Sequence, residues 1–281
     1  KLLGFYADDV CMKLLMTLLA CLLMVGLPAG AASESAMEPG VPILLYHRFG
    51  PTVADSMTVT TAAFESHLKY LKENGFTVIA LKEMLTLMSG PGIPRGARYV
   101  VLVADDAHRS VYTEALPLIK KYKVPMTLFV YPSAVSNASY AMTWDQLREL
   151  KATGLFDFQS HTYWHPNFKK EREKLPAAEF EKLVHMQLTK SREKLEKELG
   201  HKVDLLAWPF GIYDPGLMDR AAAAGYAAAF TIERHPVTRR DHPMALPRYL
   251  LADTDRGKIF EAILNAPIAI AKRENRNAKD N

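Results

Sequence analysis

Four places in the 281-residue chain hold residues whose types and spacing can do chemistry. Asp105 and Asp106 directly follow the apolar run 99–104; adjacent carboxylates there repel one another and are costly to strip of water, so a nearby cation is the simplest compensation. The alternative is an aspartate N-cap beside an ordinary solvated acid. His161 and His165, in Ser160-His161-Thr162-Tyr163-Trp164-His165-Pro166, stand at i and i+4, which is a metal-ligand spacing if the segment makes a single helical turn. Alone they read better as two incidental surface histidines; joined to the aspartates of a neighbouring strand end they become two histidines and one carboxylate around open positions. In Ala207-Trp208-Pro209-Phe210-Gly211 a strand breaks into a turn that either leaves a backbone N–H facing a site, as an oxyanion donor requires, or is simply a turn. His47 closes the apolar run 41–46, as a core residue or as a proton-transfer group.

The elements that must position these residues alternate. Short runs rich in β-branched and aromatic residues predict strands at 41–46, 76–80, 99–104, 126–130, 156–160, 203–208, 226–232 and 246–250. Helical periodicity predicts helices at 62–74, 81–88, 110–122, 143–152, 176–199, 215–224 and 256–266. Thr143-Trp144-Asp145-Gln146 reads as a capping box, and Gly75, Gly154, Gly200 and Gly225 sit where left-handed helix stops belong. This alternation implies βα units, a parallel sheet or barrel, and one domain. Ligands of such folds gather at the carboxyl ends of strands, where all four places lie.

Composition narrows the classes. The 35 Lys and Arg are interleaved with 31 Asp and Glu for a net charge of +4, without a basic stripe, so no nucleic-acid partner is expected. Cys11 and Cys21 are the only cysteines, so a metal further along must use His, Asp or Glu. Met12, Lys13, the apolar run from Leu14 to Leu27 and the small residues Ala29-Gly30-Ala31 have the three-part layout of a cleavable secretory signal. The run is shorter than the ~20 residues a bilayer span needs. The expected organisation is upstream sequence at 1–11, a signal peptide at 12–31, one domain at 32–271 and a polar tail at 272–281, with the mature protein periplasmic or secreted. A lipid anchor at Cys21 is the alternative, from Leu18-Leu19-Ala20-Cys21.

The four motifs, in this order, resemble the polysaccharide deacetylase family, also called the NodB-homology domain or carbohydrate esterase family 4. The similarity runs from Val41 to Leu251. The early Leu45-Tyr46-His47 points to the biofilm branch that de-N-acetylates poly-β-1,6-N-acetylglucosamine and is circularly permuted relative to other members. The resemblance implies a distorted (β/α) barrel, permuted in this way and forming a single domain. It also implies one divalent metal ion, zinc by default with iron, cobalt or nickel as alternatives, held by Asp106, His161 and His165. Asp105 matches the general base, His47 the general acid, and Phe210 the residue whose backbone N–H helps bind the oxyanion. Arg248, in Leu246-Pro247-Arg248, falls where it would orient Asp105.

The acetylated polysaccharide is then the expected partner, in a groove lined by Trp208, Pro209, Phe210, Tyr163 and Trp164, with Tyr46 and Tyr213 as further aromatic candidates; a place in the core is the alternative for Tyr46, Tyr163, Trp164, Trp208 and Tyr213 alike. Any export-complex protein stays unidentified. Two departures count: Val103-Ala104-Asp105-Asp106-Ala107 lacks the family's aromatic residue before the aspartates and its glycine after them, and Ala207 replaces a frequent arginine. His108, in place of a frequent Tyr, is either an exposed loop residue or one reaching the metal or a sugar. Rival readings are a deacetylase of peptidoglycan, chitin oligomers or an O-acetylated polysaccharide, an inactive polysaccharide-binding relative, and an α/β protein without a metal.

Overall fold

The computed structural model describes residues 40–266; the expected signal, both cysteines and the polar tail lie outside the described residues. Ten strands follow in chain order: β1 (Ile43–Tyr46), β2 (Arg48–Gly50), β3 (Thr58–Thr60), β4 (Thr77–Val78), β5 (Tyr99–Asp105), β6 (Met126–Val130), β7 (Phe156–Ser160), β8 (Leu205–Ala207), β9 (Ala228–Phe230) and β10 (Tyr249–Leu250). Eight form one parallel sheet in the order β10-β1-β5-β6-β7-β8-β9, with β4 also on β5. Leu246 joins the two ends: its N–H donates to Ala229 O and its carbonyl accepts from Thr231 N, while Tyr249 and Leu250 pair with β1. The architecture is the expected distorted (β/α) barrel in a single domain.

Successive strand residues point to opposite faces, and here both faces are covered, which is why the strands read as unbroken apolar runs. Ile43, Leu45, Val101, Val103, Phe129, Leu205, Ala207 and Phe230 fill the barrel interior. Their neighbours Leu44, Tyr46, Leu102, Ala104, Leu128, Phe158, Leu206 and Trp208 pack outward against the helices. Those helices are α1 (Thr61–Glu73), α2 (Leu81–Ser89), α3 (Leu116–Tyr122), α4 (Trp144–Ala152), α5 (Phe168–Lys174), α6 (Ala177–Leu199), α7 (Pro215–Ala223) and α8 (Lys258–Leu264). None of the described helices is long and apolar enough to cross a membrane.

Local chemistry sets several boundaries. Thr143 caps α4 in a full capping box, and Gly75, Gly154, Gly200 and Gly225 take positive φ. The helix expected at 110–122 opens instead as a π-turn, Val111–Ala115, before α3. Leu116 N–H reaches back five residues to Val111 O, and Pro117, which has no N–H to give, follows at once. β2, β3 and α5 were not expected: three-residue strands show no alternation, and α5 buries only Phe168.

Candidate metal centre

Strand parity aims the site residues. His47 continues the inward phase of Ile43 and Leu45, Asp105 that of Val101 and Val103, and His161 that of Gln159, so three strand ends direct polar groups toward one mouth. After Asp105 the chain takes left-handed conformations at Asp106 (φ 73) and Ala107 (φ 54). Ala107 thus sits in the left-handed region that glycine adopts at least cost and is itself buried, while Ala104 packs on the outer, helix-facing side.

Asp105 is 2% exposed and is gripped by Arg248, which has no exposure at all. Arg248 Nη1 and Nη2 donate to the two carboxylate oxygens at 2.8 and 2.9 Å, and Nε donates to Thr231 O at 2.9 Å. Burial alone would raise the Asp105 carboxyl; the guanidinium charge, then His161, the two hydrogen bonds and His47 outweigh it and hold it at about 2.

His161 Nδ1 lies 2.8 Å from Ala207 O, a group that only accepts, so Nδ1 carries the proton and Nε2 offers its lone pair. That Nε2 is 3.7 Å from Asp106 Oδ1, and His165 Nε2 is 3.9 Å from the same oxygen. Ligand atoms of Asp106, His161 and His165 all lie within 4.8 Å of one another. These gaps are too wide for hydrogen bonds, and they suit donors that each approach a shared cation at ~2.0–2.2 Å. Burial lowers both imidazoles to about 4, His161 adding to the effect on His165, so both are neutral, the ligating form, near pH 7.

The histidine segment is not the helical turn expected. Thr162 and His165 both have φ 63, and the two rings meet edge to face, with centroids 4.5 Å apart, through a bent loop. His47 is half-buried and close enough to act electrostatically on Asp105, His161 and His165; its Nδ1 is buried without a hydrogen-bond partner among the described residues.

Three expected groove residues turn away. Trp208 and Tyr46 have outward parity and are buried under helices; Trp208 Nε1 donates to Met244 O, and Tyr46 OH pairs with His67. Pro209 is buried as well, in the turn after β8. Phe210 is exposed, with φ 57, and its ring lies 4.5 Å from His165; Trp164 is also exposed. Tyr163 is half-buried beneath Lys190, and Tyr213 OH donates to Glu233.

Tyr131 was missed although it follows Phe129 in the inward phase of β6. Its ring lies 5.4 Å from His165, and its hydroxyl meets that of exposed Tyr140 at 2.5 Å. His108 stacks on Tyr140 and pairs with Ser110 Oγ rather than turning freely into solvent.

Residues 92–229 match the family model described as polysaccharide deacetylase. A protein of Staphylococcus aureus named poly-beta-1,6-N-acetyl-D-glucosamine N-deacetylase is 28% identical over 200 residues, 70% of this chain and 68% of its own length. The solved structure of IcaB from Ammonifex degensii is 26% identical with a TM-score of 0.69, covering 81% of this chain and 97% of that one. The Streptococcus pyogenes deacetylase PplD, solved in complex with acetate, has a TM-score of 0.72 at 22% identity, over 81% of this chain and 99% of its own, a likeness of fold.

Proposed function

We propose that this chain, whose residues 92–229 match the polysaccharide deacetylase family, removes N-acetyl groups from poly-β-1,6-N-acetylglucosamine outside the cytoplasm, using one divalent metal ion. The observation that carries this reading is the convergence of Asp105, Asp106, His161 and His165 from two strand ends on one mouth, with donor atoms spaced for a cation. The substrate follows from the relatives' names, and export from the layout of residues 12–31.

Asp106, His161 and His165 would hold the ion, zinc by default with iron, cobalt or nickel also accepted by such donors, and its chemistry there is to acidify water and polarise the acetamide carbonyl. Asp105, kept ionised by Arg248, takes the proton of the attacking water. The Phe210 N–H donates to the oxygen that gains charge as the carbonyl is attacked. His47, protonated, gives its proton to the nitrogen as the C–N bond breaks. Water is consumed, and acetate and a glucosamine residue are released. Exposed Trp164, Phe210 and Tyr140 offer apolar faces to the sugar rings around the mouth.

The test is acetate release from poly-β-1,6-N-acetylglucosamine oligomers, with chitin oligomers and peptidoglycan in parallel. Metal-reconstituted protein releases acetate from the β-1,6 oligomers, chelated protein does not, and Asp105→Asn falls by about 10²–10⁴-fold, the usual contribution of a positioned base. Release from chitin or peptidoglycan alone would overturn the substrate; release that survives chelation would overturn the mechanism.

A further inference from the structure

The loop that carries both imidazoles is held from a helix. Four consecutive backbone N–H groups, at residues 162–165, each find a side-chain oxygen. Thr162 N donates to Ser160 Oγ at 3.2 Å, Tyr163 N and Trp164 N both donate to Gln187 Oε1 at 3.0 Å, and His165 N donates to Thr162 Oγ1 at 3.2 Å. Two of the four residues, Thr162 and His165, are non-glycine residues in the left-handed region, a conformation disfavoured for residues with a Cβ that persists only where surroundings impose it.

Gln187 lies on α6 among Phe180, Val184, Leu188, Leu195 and Leu199, the face that packs on the barrel, and it has no solvent exposure. A polar side chain there is unfavourable unless its hydrogen-bonding atoms are used. Its oxygen accepts two backbone N–H groups, whereas its Nε2 has only Met186 Sδ at 3.9 Å, so the acceptor is the half that matters. One turn on, Ser191 is equally buried, and its hydroxyl meets Ser160 Oγ at 2.8 Å, behind the oxygen that takes Thr162 N. The start of the loop is fixed to the sheet, His161 N donating to Val130 O at 2.8 Å, Tyr163 O accepts from Ser133 N at 3.1 Å, and the middle of the loop, Tyr163 and Trp164, is tied to α6 through Gln187.

We infer that Gln187 is a positioning residue that sets the spacing of His161 and His165 and thereby the protein's affinity for its metal, an inference resting on the metal reading above. It touches neither ion nor substrate. It acts through the backbone between the two histidines, as groups behind metal ligands commonly do.

The experiment is competitive titration of the apo protein with Zn²⁺ against a chromophoric chelator, together with the visible absorption of the Co²⁺-loaded protein. Gln187→Met removes the acceptor at nearly constant length; its Zn²⁺ affinity falls by about 10–100-fold and its Co²⁺ spectrum changes. Gln187→Glu keeps an acceptor in place and restores near-parental affinity and the parental spectrum, which a role in packing alone would not require. If Gln187→Met does not fold, Gln187→Asn, polar but one methylene short of the loop, is expected to show the same loss. Parental affinity in a folded Met or Asn variant would overturn the inference while leaving the metal centre in place. A parent protein that takes up no Zn²⁺, or takes it up undiminished in Asp106→Ala, would overturn the metal reading and this inference with it.

Discussion

Arg248 and Asp105 are fully desolvated and matched atom for atom, so removing one partner leaves the other as an uncompensated buried charge. Arg248→Met is expected to cost about 3–5 kcal/mol of stability, read by chemical denaturation. It is also expected to move the activity profile. Asp105 titrates at about 2 with burial opposing and Arg248 favouring the ionised form; without the guanidinium, burial prevails and the carboxyl titrates higher. The acid limb of kcat/KM therefore shifts to higher pH in the variant, and an unchanged limb would show that Asp105 is not the group titrating. The same scale explains which aromatic residues were misjudged. Tyr46 precedes His47 and Trp208 follows Ala207, so each sits one residue out of phase with an inward neighbour, and one residue is the difference between barrel interior and helix-packed face.

Elements were legible in proportion to the number of periods they contain. β6 and β7 lie where the apolar runs placed them, and α6 shows its amphipathic face over more than six turns. Both edges of β4, β8 and β9 retreat by one or two residues, and the leading edge of β10 by three, because only the segment with a pairing partner is strand. β2, β3 and α5 are too short to display a period, and in α5 the one local signal was Asn167, whose side chain caps Lys170 N. The capping box was legible because its chemistry is local: Thr143 Oγ1 accepts from Gln146 N, and Gln146 Oε1 accepts from Thr143 N. Thr143→Ala is accordingly expected to lower stability by about 1 kcal/mol, read as a shifted denaturation midpoint at unchanged slope.

For the whole molecule, burial sets the pH response. His67, His161 and His165 each titrate at about 4 in the folded chain, depressed first by burial, against 6.5 for a solvated ring. Unfolding takes up protons at these sites below pH 6.5, so the metal-free protein is expected to lose stability as pH falls from 6.5 toward 4. Asp105 adds a further loss between its ordinary 3.8 and about 2. Denaturation of the apo protein at pH 7, 6 and 5 checks the first window. Saturating Zn²⁺ raises the stability at pH 7, by about 2.7 kcal/mol at a hundredfold excess over Kd, and with it the midpoint, and the gain shrinks on acidification as protons compete for the imidazoles. A midpoint insensitive to both pH and metal would contradict the proposal that the buried, neutral His161 and His165 hold a metal ion.

By itself the sequence determined the βα alternation, the runs that become strands, the capping box and the presence of aspartates and histidines at strand ends, because periodicity and capping are interactions among near neighbours in the chain. Only the tertiary structure decided which face of each strand became barrel interior, that Arg248, which the resemblance had set beside Asp105, meets both its carboxylate oxygens across a separation of 143 residues, and that Gln187 of α6 ties down the histidine loop. Those outcomes depend on how the sheet curls, on its order and on the docking of α6, which bring together groups that no local pattern relates.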